Sequence, residues 1–179
     1  PDQAGMASAG RVPSGRLLLL AGAVMQARAR ALGLDPLAAT PEAVVLCRDA
    51  SRSQLEAAMP LLARGLPLIV ANPDLTHPGE DGPVIETGAL LALLEACVPG
   101  ARSCVAGKPS AHLFRVALGP VAPEAAVMIG DNPDTDIAGA RRLGMPSIHV
   151  GPGGQATGLT GFDCLFPDET DVPGAIAGY

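Results

Sequence analysis

Short apolar runs, separated by polar and glycine-rich turns, recur along the chain. The runs with the length of a buried strand are residues 43–47, 66–71, 103–106, 125–129 and 145–150. Segments with helical character lie between them. Because strands alternate with helices, the pattern predicts an α/β fold with a mostly parallel sheet.

Five segments have the pattern of helices, and they are residues 16–32, 53–64, 87–97, 110–118 and 137–143. In the second, Ser53 and Glu56 have the spacing of a capping box, and Pro60 predicts a kink or an early break. Residues 77–83 and 151–161 have no periodicity, so we expect loops there. Residues 163–166 are a candidate for a last edge strand.

An acidic turn follows the strand predicted at 125–129. Asp131 comes at its carboxyl end, Asp134 and Thr135 are good helix caps, and Asp136 would lie in the first helical turn. Three carboxylates so close together repel one another unless a cation or solvent separates them. Hard oxygen ligands on a tight loop suit Mg²⁺. An isolated turn of this kind more often only caps a helix, so the metal site needs a second indication.

That second indication is Lys108, the single lysine in a chain that otherwise uses arginine for positive charge. It lies between Gly107 and Pro109, directly after an apolar run. A compact ammonium can approach one oxygen atom closely and is a good partner for phosphate and for carboxylates. One predicted helix separates it from Asp131. We therefore expect both residues at the ends of neighbouring strands of one sheet, where such sheets bind ligands.

The residues around these two features resemble a known family. Residues 107–110 and 129–140 look like motifs III and IV of the haloacid dehalogenase-like (HAD) phosphatases, in particular of their class IIA branch. The Asn-Pro-Asp turn at 72–74 and the Thr-Gly-Ala start of a helix at 87–89 are similar to the cap domain of that branch. The resemblance runs from about residue 43 to residue 150.

The resemblance implies a Rossmann-like (HAD-like) α/β core with a parallel sheet that is incomplete on its N-terminal side and carries an α/β cap insertion. Residues 1–40 would then be an N-terminal helix and a loose end that includes a remnant of the core. Residues 41–100 would be the cap-like segment, and residues 101–179 the C-terminal half of the core.

It also implies a chemistry: Mg²⁺-dependent hydrolysis of a small phosphorylated metabolite through an aspartyl phosphate. Lys108 would be the catalytic residue that neutralises charge on the nucleophile and the phosphoryl group. Asp131 and Asp136 would form the metal site. The implied substrate-binding residues are Asn72, Asp74 and Asn132.

The sequence departs from the family in one respect, since its 179 residues contain no Asp-x-Asp-Gly-Thr motif. Asp49 as a degraded form of this motif is disfavoured, because no Gly-Thr follows it and it fits the cap. We therefore expect a fragment or a chain inactive alone; the alternative is a non-catalytic phosphate- and Mg²⁺-binding or interaction protein derived from such a phosphatase. A sheet without that strand exposes unpaired edges, so low stability or self-association as a homo-oligomer is expected.

Composition limits the kinds of partner that we expect for this chain. A net charge of −6, three Phe and one Tyr disfavour a nucleic-acid partner. The apolar run at 17–25 is too short to span a membrane. The scattered cysteines lack zinc or disulfide spacing, which favours reduced thiols in the cytoplasm. Among the histidines, we expect His77 and His112 on the surface and His149 packed in a strand. A doubly wound nucleotide-binding domain of another kind is disfavoured, because no glycine fingerprint follows the first strand.

Overall fold

The computed structural model describes residues 14–151 and the backbone of residues 156–160. The chain divides into two compact units, of which unit 1 ends at Gly107 and unit 2 begins at Lys108. Each unit has its own sheet and its own buried cluster of apolar side chains. The predicted segments 1–40, 41–100 and 101–179 stay a prediction.

In its described residues, 14–107, unit 1 contains six strands and three helices. The strands are β1 (Leu17–Leu20), β2 (Ala43–Leu46), β3 (Leu68–Val70), β4 (Thr76–Gly79), β5 (Gly82–Ile85) and β6 (Ser103–Val105). The helices are α1 (Ala23–Ala31), α2 (Arg52–Ala63) and α3 (Thr87–Cys97). Four strands form one parallel sheet in the order β1-β2-β3-β6, which confirms the predicted α/β class with a parallel sheet.

The core of unit 1 follows from the apolar runs. Val44, Leu46 and Leu68 are fully buried in the sheet, and Leu62 of α2 and Leu94 of α3 pack on them. Burying one such aliphatic side chain stabilises the fold by about 1.5–3 kcal/mol. Strands covered on both faces have continuous apolar sequences, and for this reason β2 and β3 were recognisable as strands.

The helix predicted over residues 16–32 is wrong in its first half. Leu17–Leu20 is strand β1, and the helix begins only after Gly22. Leu18 and Leu20 contact the main core, while Leu19 packs on Ala29 at the other face of the sheet. Pairing with β2 decides the outcome, because a short apolar run alone does not distinguish a strand from a buried helix.

Helix α2 has a different cap from the one predicted and no early break at Pro60, while the other predicted outcome, a kink at Pro60, stays a prediction. Ser51 with Gln54, rather than Ser53 with Glu56, forms the capping box: Ser51 Oγ accepts from Gln54 N at 3.3 Å, and Gln54 Oε1 accepts from Ser51 N at 2.8 Å. Pro60 lies inside the helix without ending it. It is on the exposed side, where water can bind the carbonyl group that loses its partner.

Strands β4 and β5 form an antiparallel hairpin where a loop was predicted over 77–83. The sequence gives little signal for it, since Pro78 and Pro83 are opposite each other and every residue of β5 is exposed. Without alternation of buried and exposed side chains, periodicity does not reveal a strand.

Unit 2 is smaller. Its elements are α4 (Ala111–Leu118), a 3₁₀ turn (Pro123–Ala125), β7 (Met128–Gly130), a π-helical turn (Pro133–Ile137), α5 (Ala138–Arg142), β8 (Ser147–Val150) and β9 (Ala156–Thr160). Strand β8 pairs with β7 in parallel and with β9 in antiparallel orientation. The predicted loop at 151–161 thus contains a strand. Residues 163–166, where an edge strand was predicted, and Cys164 lie outside the described residues.

The predicted strand at 125–129 is shorter and less buried than expected. Strand β7 starts at Met128, and the Ile129 side chain is 43% exposed. In the described part of unit 2, β7 pairs with β8 alone and is an edge strand. The apolar cluster of this unit is instead built around Phe114, Ala140 and Met145.

The strands that precede Lys108 and Asp131 belong to two different sheets. Strand β6 pairs with β3 in unit 1, and β7 pairs with β8 in unit 2. The prediction that both residues stand at neighbouring strand ends of one sheet is therefore wrong. An apolar run marks a strand, but it does not record which strand becomes its neighbour.

Candidate functional site

The acidic turn of unit 2 is organised by Asn132. Its side-chain oxygen Oδ1 accepts hydrogen bonds from the backbone N–H groups of Asp134 (2.9 Å) and Thr135 (3.2 Å). The cap of this turn is thus Asn132, and the prediction of Asp134 or Thr135 as the cap is wrong. Proline has no N–H group, so the first donor within reach of Asn132 is that of Asp134.

Asp136 is the buried acid of the turn, with 2% of its surface exposed. Its Oδ2 accepts from the backbone N–H of Asn132 at 3.2 Å, and its own N–H donates to the carbonyl of Asn132 at 2.9 Å. Gly130 provides the space, because a β-carbon there would lie 2.5 Å from Cγ of Asp136. The carboxylate is thereby fixed at the base of the loop.

Lys108 forms an ion pair with this buried carboxylate. Its Nζ lies against Asp136 Oδ1, an atom that has no regularly oriented hydrogen bond from the described residues. The ammonium is therefore the charge that balances Asp136, and a buried carboxylate without such a partner is costly. The Lys108 side chain as a whole is 44% exposed. The Lys108–Pro109 peptide bond is cis, and Ser110 caps helix α4 directly after it.

Asp131 is exposed at the end of β7, and its side chain makes no hydrogen bond or ion pair with the described residues. Its backbone carbonyl accepts a hydrogen bond from Nε2 of His149 at 3.0 Å. His149 was predicted merely to pack in a strand. In the structure His149 lies opposite Gly130 in the parallel β7–β8 pair, which places it at the carboxyl end of β7, and the sequence alone does not reveal this pairing.

Asn72 and Asp74 belong to unit 1, where they form a second Asn-Pro-Asp turn. Asn72 Oδ1 accepts from Asp74 N at 2.8 Å, as Asn132 does from Asp134. The turn packs on the start of α3, where Gly88 N donates to Asp74 O at 2.8 Å and a β-carbon at Gly88 would clash with Pro73 O. Both Asn72 and Asp74 are half-buried.

Unit 1 also contains a polar cluster that sequence reasoning missed. Arg48 Nη1 lies 3.3 Å from Glu86 Oε1 and 3.3 Å from His77 Nε2. His77, predicted to be on the surface, is only half-exposed because it packs in this cluster. Burial by itself raises the pKa of Glu86, but hydrogen bonds from Thr87 and Arg48 hold that pKa below its usual value.

The acidic turn provides a partial set of ligands for a metal. Within residues 14–151, no three or more His, Cys, Asp or Glu side chains cluster as a metal site. Asp131 and Asp136 are two carboxylates, and Mg²⁺ commonly takes one or two, with water and phosphate oxygens completing its shell. Because Lys108 already balances Asp136, the exposed and unpaired Asp131 is the available ligand. A carboxylate from Asp131, with water and phosphate oxygens completing the shell, is a set of donors that fits Mg²⁺.

An α/β fold with a Lys–Asp ion pair at an acidic turn after a strand has groups that are chemically suited to phosphate and to a hard cation. Comparison with known proteins indicates the family. The model of the HAD-hydrolase-like family matches residues 105–161. Dihydroxyacetone phosphatase of Corynebacterium glutamicum is 36% identical over 119 residues, which cover 64% of this chain and 43% of that relative. D-glycerol 3-phosphate phosphatase of Mycobacterium tuberculosis is 34% identical over 143 residues, which cover 77% and 40%.

Solved structures of phosphatases are similar to this chain as well. A p-nitrophenyl phosphatase from Archaeoglobus fulgidus superposes with a TM-score of 0.69 and 26% identity, covering 75% of this chain and 54% of that one. A glycerol phosphate phosphatase from Mycobacterium tuberculosis, in complex with magnesium, gives 0.69 and 33%, covering 80% and 46%. The chain belongs to the HAD-like hydrolase superfamily, as the resemblance predicted. It spans 43% and 40% of the length of the two curated relatives described above.

Membrane insertion has no support in the described helices. None of those in residues 14–151 combines the length and the apolar character that crossing a bilayer requires.

Proposed function

We propose that this chain carries part of the phosphate-binding site of a Mg²⁺-dependent phosphatase that acts on small phosphorylated metabolites. The observation that carries the proposal is the ion pair of Lys108 with the buried Asp136, next to the unpaired carboxylate of Asp131. Relatives named for the hydrolysis of dihydroxyacetone phosphate and glycerol 3-phosphate support it.

In this proposal Lys108 neutralises negative charge on the phosphoryl group. Asp136 Oδ1 takes one contact of the ammonium, and because the Lys108 side chain is 44% exposed we expect the other N–H groups to be accessible to a phosphate oxygen. A donor that is already oriented needs no rearrangement as charge develops, which is the usual source of electrostatic stabilisation in enzymes. Asp136 acts here as the positioning residue for Lys108 and would support the metal site from there, while Asp131 is the direct ligand.

Asp131 would hold Mg²⁺, which when bound supplies charge neutralisation at the phosphate oxygens. Asn132 Oδ1 is occupied by two backbone N–H groups, so its side-chain NH₂ is the group left for a substrate oxygen. The same holds for Asn72, whose Oδ1 is bound by Asp74 N. Asp74 would contribute a carboxylate for a hydroxyl group of the substrate.

A second candidate function is phosphate and Mg²⁺ binding without turnover. Its motivation is that no Asp-x-Asp-Gly-Thr sequence occurs in the 179 residues. The residues described above bind and neutralise a phosphoryl group, but none of them is assigned as the nucleophile of phosphoryl transfer.

The test measures phosphate release from p-nitrophenyl phosphate with and without Mg²⁺. It uses this chain and a longer protein from the same coding region, because the chain spans less than half of the two relatives above. We expect Lys108→Met and Asp131→Asn to lower the rate of the active form by about 10²–10³-fold, the usual cost of losing a preorganised charge. Arg52→Met, at an exposed ion pair, is the control and leaves the rate unchanged.

Calorimetry of Mg²⁺ and inorganic phosphate binding separates the two candidates. Binding that Lys108→Met weakens, together with turnover in either protein, supports the phosphatase. The same binding without turnover in both proteins supports the second candidate. If neither protein binds phosphate, both are wrong.

A further inference from the structure

We propose that Arg48 is the centre of a second oxyanion-binding site, contained in unit 1, which takes the phosphate or carboxylate group of a small molecule. The site is independent of the Lys108–Asp136 pair, and the inference does not rest on the proposed phosphatase function. It follows from the way in which Glu86 and His77 hold the guanidinium group.

Glu86 is the fixed base of this site. Its side chain is 8% exposed, and Oε2 accepts from both the backbone N (3.0 Å) and the hydroxyl group (3.3 Å) of Thr87. Oε1 is then left to accept from Arg48 Nη1 at 3.3 Å. Because Glu86 is immobilised at the start of α3, it fixes the position of the Arg48 guanidinium as well.

His77 completes the orientation of Arg48. Its Nδ1 lies 2.8 Å from the carbonyl oxygen of Pro78, which can only accept, so Nδ1 carries the proton. In the neutral ring Nε2 is therefore an acceptor, and Arg48 Nη1 lies 3.3 Å from it. Both hydrogens of Nη1 thus have partners, one in Glu86 and one in His77.

The remaining edge of the guanidinium is open. Nε and Nη2 of Arg48 have no acceptor among the described residues, and 60% of the side chain is exposed. These two atoms form the edge that binds two oxygens of a carboxylate or phosphate side by side. The other two arginine–glutamate pairs among the described residues use this edge themselves, since Arg16 donates from Nη2 to Glu42 and Arg52 from Nε to Glu56.

An open pocket of 320 Å³ beside His77 is lined by the β4–β5 hairpin, and Arg48 is not one of its lining residues. The ligand expected at the open edge of the guanidinium is therefore a small group that stays exposed to solvent. Asp49, the acid adjacent to Arg48 in sequence, is occupied elsewhere, because its Oδ2 accepts from Gly22 N at 2.8 Å. Glu86 cancels the charge of Arg48, so binding depends on directed hydrogen bonds and we expect a weak affinity, on the order of 1 mM.

The test observes the Nε–H signal of Arg48 directly, by NMR of the full chain. Sodium phosphate is titrated in one arm and sodium acetate in another, each against sodium chloride at equal ionic strength. We expect a saturable shift of the Arg48 signal in at least one of the two arms, while the Arg52 signal stays constant. The arm that saturates first identifies phosphate or carboxylate as the preferred group.

Variants then separate directed binding from simple charge. Arg48→Lys keeps the positive charge and loses the planar edge, so we expect affinity to fall at least about tenfold, which corresponds to 1.4 kcal/mol. Arg52→Lys is the matched control. Lys108→Met leaves the shift of Arg48 unchanged, which distinguishes this site from the proposed phosphatase site. An Arg48 signal that moves no more than Arg52, or equally in chloride, overturns the proposal.

Discussion

A side chain at position 130 would begin where the carboxyl group of Asp136 lies. The β-carbon of such a side chain would be 2.5 Å from both Cβ and Cγ of Asp136, which is closer than van der Waals contact allows. Gly130 does not have a positive φ, so backbone conformation does not explain the glycine. The glycine is needed because the buried acid packs on the end of strand β7.

Gly130→Ala is therefore expected to destabilise the chain by about 1–3 kcal/mol, the usual cost of overpacking. Urea denaturation of both proteins measures the change in the free energy of unfolding. In an Asp136→Gly background the side chain that would clash is absent, so we expect Gly130→Ala to cost less free energy of unfolding there. The difference between the two backgrounds, a double-mutant cycle, measures the contact between positions 130 and 136. Equal costs in the two backgrounds would contradict this account.

A second prediction follows from the ion pair between Lys108 and Asp136. Lys108→Met leaves a buried carboxylate without its balancing charge, and we expect a loss of about 1–3 kcal/mol in the free energy of unfolding. Adding Asp136→Asn recovers part of it, because a neutral amide needs no counter-charge. Arg52→Met, which breaks the exposed pair with Glu56, is expected to leave the free energy of unfolding nearly unchanged. If Lys108→Met and Arg52→Met cost the same free energy of unfolding, then burial of Asp136 does not make its ion pair with Lys108 more important than an exposed ion pair.

Several elements were predictable because their signal is local. Helix α3 spans residues 87–97 as predicted, and helix α4 begins after its predicted cap Ser110. A cap, an apolar stretch of helical length and a glycine or proline after it all lie within a few residues of one another. No distant partner has to be known.

The strands that were misplaced share one cause, because pairing with another strand is not recorded in the apolar pattern of the segment itself. The predicted caps of α2 and of the acidic turn were wrong for a local reason, since the neighbouring residues Ser51 and Asn132 take those positions. Strand β1 is a strand because β2 lies beside it, and the β4–β5 hairpin is held by its own pairing and not by a buried face. The strands before Lys108 and Asp131 proved to belong to different sheets for the same reason. Apolar character reveals a tendency to be buried, but pairing is settled by the whole fold.

The sequence singled out the residues of the candidate site, but it did not predict which acid pairs with the lysine. Lys108 stood out as the single lysine, and Asp136 as one of three acids. Which acid meets the lysine depends on which one is buried, and Gly130 decides this by leaving space for Asp136. The cluster around Arg48 was invisible because Glu86 is far from it in sequence and joins it only in the folded unit.

Gly88 provides a test of the Asn72-Pro73-Asp74 turn. Alanine normally stabilises a helix relative to glycine by about 1 kcal/mol, yet a β-carbon at Gly88 would lie 2.6 Å from Asp74 O and closer still to Pro73 O. Backbone atoms cannot rotate away, so we expect Gly88→Ala to destabilise the chain by about 1–3 kcal/mol. The reverse exchange at an exposed position of the same helix, Ala92→Gly, serves as the reference in thermal denaturation. A Gly88→Ala variant more stable than wild type would mean that the turn does not pack on α3.

The last prediction concerns pH and Glu86. Burial raises its pKa, but the hydrogen bonds from Thr87 and Arg48 outweigh burial and leave the pKa below the ordinary value of 4.5. A carboxyl group whose pKa is lower in the folded than in the unfolded chain stabilises the fold fully above the unfolded value. This contribution disappears as the pH falls through the lower, folded value. We therefore expect the free energy of unfolding to decrease with acidification below about pH 4.5, partly through Glu86.

Glu86→Gln isolates that part, because it removes the titrating group and keeps the shape of the side chain. The stability difference between wild type and Glu86→Gln should be largest near neutral pH and shrink as Glu86 takes up its proton, measured by urea denaturation from pH 7 to about pH 3. Glu56→Gln, at an exposed partner of Arg52, controls for the loss of one surface carboxylate. If the difference for Glu86→Gln is the same at every pH, then Thr87 and Arg48 do not stabilise the ionised form, and Glu86 cannot be the fixed base that orients Arg48.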